Sequence, residues 1–119
     1  MKGSKALAAL AALGQETRFA IVQLLGRSGA QGMAAGEIAD ALGQPAPTLS
    51  FHLAQLRSAG LLESRRESRS IYYRQKPKAI RKLLEYLAAN CGGSGTASSW
   101  RPTAAGGRHG KNRLRRAKR

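Results

Sequence analysis

Apolar residues recur at helical spacing through the first third of the chain. Leu7, Leu10 and Leu13 predict a first helix that ends at Gly14. A second helix is predicted from Glu16 to a stop between Gly26 and Gly29. Its apolar positions are Phe19, Ile21, Val22, Leu24 and Leu25. The following "SGAQGM" has no periodicity and is interpreted as a loop.

The middle of the chain predicts two short helices joined by a tight turn. "AAGEIADALG" indicates a third helix with Gly43 at its C-cap position. "QPAP" indicates a turn, and Pro47 suits the first position of a fourth helix that ends at Gly60. The inward face of this helix is predicted to hold Leu49, Leu53 and Leu56. Two helices connected in this way predict a helix-turn-helix.

The pattern then changes to that of a hairpin and returns to a helix. "LLESRR" and "SIYYR" predict two strands around an "ESR" turn, with Ile71 and Tyr73 facing the core and Tyr72 facing out. A last helix is predicted from Lys76 to Asn90. Its apolar face holds Ile80, Leu83, Leu84 and Leu87. The predicted fold is mainly α with a small β-hairpin.

The composition changes abruptly after Asn90. Residues 91–119 are rich in Gly, Ser and Ala, lack periodicity and end in a basic run. We therefore expect a folded domain over residues 1–90 and a flexible basic C-terminal tail over residues 91–119.

Charge narrows the class of partner. The chain has 119 residues, of which 21 are Lys or Arg and six are Asp or Glu, for a formal net charge of +15. Residues 1–90 hold 13 of these basic residues and all six acids, so the folded part is itself basic. A net charge of this size favours nucleic acid or an anionic surface as the partner.

Cysteine count and hydropathy indicate the compartment. A single cysteine, Cys91, excludes an intrachain disulfide framework and indicates a reducing compartment. The N-terminal "MKGSKALAALAALGQETR" continues into an amphipathic pattern, so it is interpreted as helix and not as a secretory signal. No apolar run reaches the roughly 18 residues of a membrane span. A soluble, cytoplasmic protein with no membrane partner is expected.

The fourth helix carries polar side chains beside its leucine row. Short hydroxyl and amide groups near a helix N-terminus suit the major groove of DNA, where they meet base edges and phosphates. Taken alone, this face is more simply a solvated helix surface. The preceding helix and turn and the basic hairpin that follows favour DNA instead. The candidate DNA-binding residues of the helix are Thr48, Ser50, Phe51, His52, Gln55 and Arg57.

Arginines gather at the hairpin. Arg65, Arg66 and Arg69 surround the predicted turn, and Arg74 lies beyond it. They are consistent with a hydrated turn, but beside a recognition helix a basic tip can follow the minor groove or grip phosphates. We therefore include Arg65, Arg66 and Arg69 among the predicted DNA contacts.

A longer stretch resembles a known family. "EIADALGQPAPTLSFHLAQLRSAGLLESRRESRSIYYR", together with "LAALGQETRFAIVQLL" upstream, resembles the winged helix-turn-helix of the ArsR/SmtB family of bacterial repressors. The likeness covers roughly residues 5–92. It implies a homodimer on an inverted-repeat operator, with Thr48, Ser50, Phe51 and His52 and the wing arginines facing DNA. Family members often have polar residues where this chain has Ala46 and Pro47.

The resemblance also implies dimerisation through the first and last helices. This agrees with the patterning, because the two helices carry more apolar surface than a 90-residue monomer readily hides. The predicted interface residues are Leu7, Leu10, Ile80, Leu83 and Leu87.

The resemblance leaves the inducer open. Relatives that sense metal through a Cys-x-Cys pair have it where this chain has Ala34 and Gly36, and residues 76–90 lack the Asp and His ligands of zinc sensors. Arsenite responders carry a thiol cluster at the end of the last helix, where only Cys91 stands here, and arsenite favours three thiolates. Cys91 is thus a remnant of an arsenite site, half of a two-thiol site across a dimer, a redox switch or inert. No cofactor is required.

Two function classes compete. The first is a dimeric repressor released by an inducer, and the second is a general nucleic-acid-binding protein driven by the basic tail. The sequence shows no nucleophile–base pair, carboxylate dyad or phosphate-binding glycine loop, so an enzyme is not expected.

Overall fold

Residues 1–92 are the residues that the computed structural model describes, and they form five α-helices, a short 3-10 helix (Gly29–Gln31) and three short strands. The predicted tail beyond Cys91 therefore lies outside the described residues, apart from Gly92. The helices are α1 (Gly3–Leu13), α2 (Glu16–Ser28), α3 (Ala35–Leu42), α4 (Ala46–Ser58) and α5 (Ala79–Cys91). The strands are β1 (Met33–Ala34), β2 (Leu62–Glu67) and β3 (Ser70–Gln75). None of these helices is long and apolar enough to span a membrane.

Helix α1 packs mainly through alanines, with Leu13 partly buried at its end. Ala6, Ala9 and Ala12 are buried, whereas Leu7 is 68% exposed and Leu10 is also exposed. At 100° per residue the three alanines form an inward stripe that spans about 120° of the helix surface, and Leu7 lies outside it. Small side chains allow α1 to lie close to its neighbours, while the two leucines stay on the surface.

The helix-turn-helix is present as predicted, with a shift of one residue. Gly43 ends α3 in the left-handed conformation, with a φ of 64°. Helix α4 begins at Ala46, so Pro47 occupies its second position and not its first. Both positions precede the first intrahelical N–H donor, which is why proline fits either one.

The β-hairpin forms as predicted, and a third strand joins it. Strands β2 and β3 pair antiparallel with Ser64 opposite Tyr73. Strand β1 pairs with the other edge of β3, placing Met33 opposite Tyr73. The predicted loop was therefore wrong at its last residue, Met33, and also at its first, Ser28, which ends α2, while Gly29–Gln31 form a 3-10 helix. A two-residue strand is too short to produce periodicity. Gly32 permits the pairing, because a Cβ there would lie 2.2 Å from the Tyr73 carbonyl oxygen.

Helix α5 starts three residues later than predicted. Lys76 follows β3 directly and is not yet helical, since its N–H donates to the carbonyl of Leu61, the residue before β2, over 2.8 Å. Lys78 has a φ of 69°, which is incompatible with a helix interior, and α5 starts at Ala79. It runs to Cys91, one residue past the predicted end.

The core lies between the helices and the base of the hairpin. Its largest fully buried side chains come from α2, α3 and α4, and α5 adds Leu83. They are Ile21, Leu25, Ile38, Leu49, Leu53 and Leu56. The leucine row of α4 is therefore held in the core, and the opposite face of α4 is turned to solvent.

Candidate nucleic-acid interface

The outer face of α4 is more apolar than the sequence suggested. Counting 100° per residue from buried Leu49, the side chains farthest from the core are Pro47, Phe51, Ala54 and Ser58. All four are exposed or nearly so, and Phe51 is 57% exposed. Of this ridge only Phe51 was predicted from the sequence. A helical projection would have found the others.

The predicted polar residues flank this ridge on two sides. Ser50 and Arg57 lie on the side of the hairpin, since the Arg57 guanidinium donates to the Ser64 hydroxyl at 3.3 Å. Thr48 and Gln55 lie on the other side. All four side chains are exposed. The ridge and its flanks therefore form a continuous surface of apolar, hydroxyl and amide groups, which can contact base edges and methyl groups.

His52 does not belong to this surface, and its prediction as a DNA contact is corrected. The side chain is only 8% exposed because it projects about 60° from Leu49, within the buried sector of α4. Its Nδ1 lies 3.1 Å from an Arg18 guanidinium nitrogen, which can only donate. Burial, followed by the positive charge of Arg18, lowers the pKa of His52. In this contact Nδ1 therefore acts as the acceptor.

Arg18 connects three helices at this point. Its Nε donates to the Ala12 carbonyl at the end of α1 over 2.8 Å, and its guanidinium reaches His52 on α4. The Gln15 side chain accepts from the Arg18 N–H and caps α2. We call Arg18, His52 and the Ala12 carbonyl the helix clamp. It fixes α4 against the ends of α1 and α2, a role that the sequence did not suggest.

The wing arginines divide into two kinds. Arg65 is engaged within the protein: it lies 4.9 Å over the Tyr72 ring, donates to the Gln31 carbonyl at 3.2 Å and pairs with Glu67 at 3.4 Å. Arg66 and Arg69 are exposed and make no ion pair or side-chain hydrogen bond within residues 1–92. Their guanidinium groups are available to phosphates, and Arg65 shapes the wing that presents them.

The tip of the wing is a two-residue turn. Glu67 pairs with Ser70, so Ser68 and Arg69 form the connection, and Ser68 has a φ of 54°. A left-handed residue is what such tight hairpin turns require. Arg74, at the base, is held by Glu63 and the Ala30 carbonyl and is not a tip residue.

Metal-binding chemistry is sparse in the described part of the chain. Within residues 1–92 no group of three or more His, Cys, Asp and Glu side chains could hold a metal ion. Cys91 is exposed at the C-terminal end of α5. Within residues 1–92, Cys91 is therefore not part of a cluster of three metal-binding side chains.

Known proteins match both the sequence and this geometry. Residues 13–65 match a family described as a helix-turn-helix domain. The chain is 36% identical over 86 residues to the HTH-type transcriptional regulator KmtR of Mycobacterium tuberculosis, covering 72% of this chain and 66% of that protein. It superposes on an ArsR-like transcriptional regulator from Rhodococcus sp. RHA1 with a TM-score of 0.65 and 31% identity, over 72% of this chain and 78% of the other. This chain belongs to the ArsR family of winged helix-turn-helix transcriptional regulators.

A second similar structure is described as homodimeric and as a possible ArsR-family transcriptional regulator. The homodimeric winged helix-turn-helix DNA-binding domain Mb0332 from Mycobacterium bovis matches with a TM-score of 0.59 and 32% identity, over 72% of this chain and 77% of the other. The family consists of transcriptional regulators and not of enzymes. The second helix of the helix-turn-helix, α4, is the candidate recognition helix, and the β2–β3 hairpin is the wing.

Replacing Arg66 and Arg69 with alanine should weaken binding to all DNA sequences alike. Removal of each phosphate contact should reduce the slope of log affinity against log salt by about 0.9. Ser50→Ala or Thr48→Ala should instead lower the preference for one sequence over another by about 1–3 kcal/mol. Salt-dependent fluorescence anisotropy on specific and random duplexes measures both quantities.

Arg74→Ala supplies the matched control for the wing, since Arg74 is held at its base by Glu63. It removes one positive charge, as each single tip substitution does, without removing a tip side chain. If the wing variants and the α4 variants reduced the preference between specific and random DNA equally, this would contradict the assignment of general affinity to the wing and sequence preference to α4.

Proposed function

We propose that this ArsR-family protein is a homodimeric repressor that binds an inverted-repeat operator. The observation that carries the proposal is the solvent-facing surface formed by the α4 ridge, its polar flanks and the unpaired Arg66 and Arg69 of the described chain. One such surface fits a single major groove and the adjoining backbone. Two of them, related by a twofold axis, fit half-sites about 10–10.5 base pairs apart.

The proposed dimer interface is the exposed leucine surface of α1 and α5. Leu7 and Leu10 on α1 and Leu84 on α5 are exposed, and Leu84 is 60% exposed. Ile80 and Leu87 are half-buried against the core. The predicted interface residue Leu83 is only 3% exposed, so its side chain belongs to the core of the protomer and offers a partner almost nothing. Leu84 replaces it in the proposed interface.

Repression is steric in this proposal. The dimer covers promoter DNA in the cytoplasm until an inducer stabilises an arrangement in which the two recognition helices no longer fit successive grooves. Moving the population from 1:99 to 99:1 requires about 5.5 kcal/mol of differential affinity of the inducer for the two states. Cys91 is the first candidate trigger, by arsenite binding or by oxidation, because it lies exposed at the end of an interface helix.

Gel-shift titration on the DNA upstream of the gene tests the function and the trigger together. Wild type and Cys91→Ser are compared with no addition, with arsenite and with diamide. Arsenite release in wild type alone would identify an arsenite site across the dimer, and diamide release alone would identify a redox switch. If neither reagent acts, Cys91 is inert and the trigger lies elsewhere.

The alternative, general binding driven by the basic tail, is tested in the same assay. Deleting residues 101–119 should leave operator preference in place if α4 and the wing carry recognition. Loss of all binding on that deletion, with no effect of Ser50→Ala, would contradict the proposal.

A further inference from the structure

A cavity of about 460 Å³ opens where α1, the end of α4 and the start of α5 meet. Its volume lies within the range of small-molecule sites. It is separate from the recognition surface, because it is reached past Gly60 and Leu61, beyond the C-terminal end of α4. It is also separate from Cys91, because it adjoins the opposite end of α5.

Lysines surround this cavity. Lys2, Lys5, Lys76 and Lys82 line it, and no acidic residue of the described chain does. Residues 1–92 contain five lysines, so four of the five are gathered here, whereas the arginines of that range lie elsewhere. None of the four is ion-paired within residues 1–92. A cleft lined by charges of one sign concentrates counter-ions of the opposite sign.

The rest of the lining is largely apolar. Ala9, Leu61 and Pro77 contribute to it, and Leu61 is buried beneath. Ala79, the first residue of α5, brings the positive end of that helix to the cavity. A ligand that satisfies all of these features has an anionic head and an apolar body.

The cavity adjoins α1, the residues that follow α4, and the start of α5. The Lys5 side chain passes over Gly60, whose φ is 83°, since a Cβ there would lie 3.5 Å from the Lys5 Cε. Lys76 is tied to Leu61 through the 2.8 Å backbone hydrogen bond. A ligand held here bridges α1 and α5 to the end of the recognition helix.

The proposed dimer interface leaves the cavity open. Lys5 precedes Leu7 by two residues on α1, and Lys82 precedes Leu84 by two residues on α5. Two residues of an α-helix correspond to about 200° of rotation around its axis. The lysines and the exposed leucines therefore lie on opposite sides of both helices.

We propose that this cavity binds a small amphipathic anion, a carboxylate or phosphate monoester with an apolar body, and that this ligand changes the affinity for DNA. The binding half of the proposal does not depend on the proposed repressor function, because it can be measured without DNA. The second half rests on that function.

Isothermal titration calorimetry of the full chain with octanoate and with octyl phosphate tests the binding. Octanamide, which keeps the chain and lacks the charge, and inorganic phosphate, which lacks the chain, should bind far more weakly. The variant Lys5→Met/Lys82→Met retains the apolar stems and should weaken binding by about five- to tenfold. Arg27→Met, which removes an exposed charge away from the cavity, should leave it unchanged.

Three results would overturn the site: absence of binding by both anions, equal binding of octanamide, or equal weakening by Arg27→Met. A double lysine variant that loses DNA affinity while anion binding is absent would show instead that these lysines hold DNA phosphates. Circular dichroism of both variants verifies that they are folded.

Anisotropy on operator DNA, with and without saturating octyl phosphate, tests the coupling. A change in DNA affinity of about fivefold or more, lost in the double variant, is expected. Anion binding without any change in DNA affinity would overturn the effector role of the ligand but would leave the proposed binding site supported. Absence of operator preference in every condition would count against the proposed repressor function. It would not affect the anion binding measured by calorimetry.

Discussion

Replacing both Leu7 and Leu84 with glutamate should convert the protein to a monomer and lower operator affinity by about 100-fold or more. Both side chains are largely exposed in the single chain, so the protomer should tolerate the change. A dimer that buries them would have to bury four unpaired carboxylates, which is strongly unfavourable. Separate monomers also lose the gain in avidity that comes from linking two half-site interactions. Sedimentation equilibrium and operator anisotropy measure the two effects.

Ala89→Glu is the control for this experiment. Ala89 is exposed on the same helix, five residues beyond Leu84 and about 140° around the axis. It should leave the mass of the dimer unchanged. A Leu7→Glu/Leu84→Glu protein that keeps a dimeric mass would place the interface on another surface.

Replacing His52 with alanine should lower the free energy of unfolding by about 2–4 kcal/mol, whereas the same change at its neighbour Phe51 should be tolerated. The His52 substitution leaves a cavity beside Leu53 and removes the acceptor of the Arg18 guanidinium. Phe51→Ala should cost less than about 1 kcal/mol of stability but weaken DNA binding, because that ring is exposed. Urea unfolding at one fixed protein concentration separates the two variants.

The helix clamp also predicts a dependence of stability on pH. Since burial and Arg18 lower the pKa of His52 in the folded protein, the unfolded chain binds the proton more readily. The contribution of His52 to the free energy of unfolding is fully present above the pKa of the histidine in the unfolded chain, which is about 6.5. This contribution is lost as the pH falls below that value. His52→Gln cannot titrate and should flatten this part of the profile. His109 is present in both wild type and His52→Gln, so its effect cancels in the comparison. Identical profiles of stability against pH for the two proteins would exclude His52 as the cause of the pH dependence.

The helix-turn-helix could be predicted from the sequence because its signals are strong and local. Leu49, Leu53 and Leu56 recur at helical spacing, and glycine and proline mark the turn that precedes them. The hairpin was predictable for the same reason. The start of α5 was not, because it depends on the left-handed conformation of Lys78, a residue with no preference for it.

The site was predictable in composition but not in orientation. The polar residues of α4 and the wing arginines were identified, yet His52 faces Arg18 and Arg65 is engaged with Tyr72. The first outcome depends on a residue 34 positions away and the second on the strand across the turn, and no local pattern encodes either. The cavity was missed for a related reason, because its lysines come from both ends of the folded domain.

In the proposed dimer, the alanine stripe of α1 would link the stability of that helix to the amount of protein present. Ala6, Ala9 and Ala12 bury little apolar area, so α1 draws less of its stability from its own protomer than a leucine-faced helix would. In the proposed dimer, the partner subunit covers the exposed leucines of α1 and supplies the rest of the stability of that helix. Dilution would then loosen α1, and with it the Ala12 carbonyl that Arg18 uses to hold the recognition helix. Formation of the DNA-binding surface would therefore require a threshold abundance, and the repressor would respond to its own expression level as well as to a ligand.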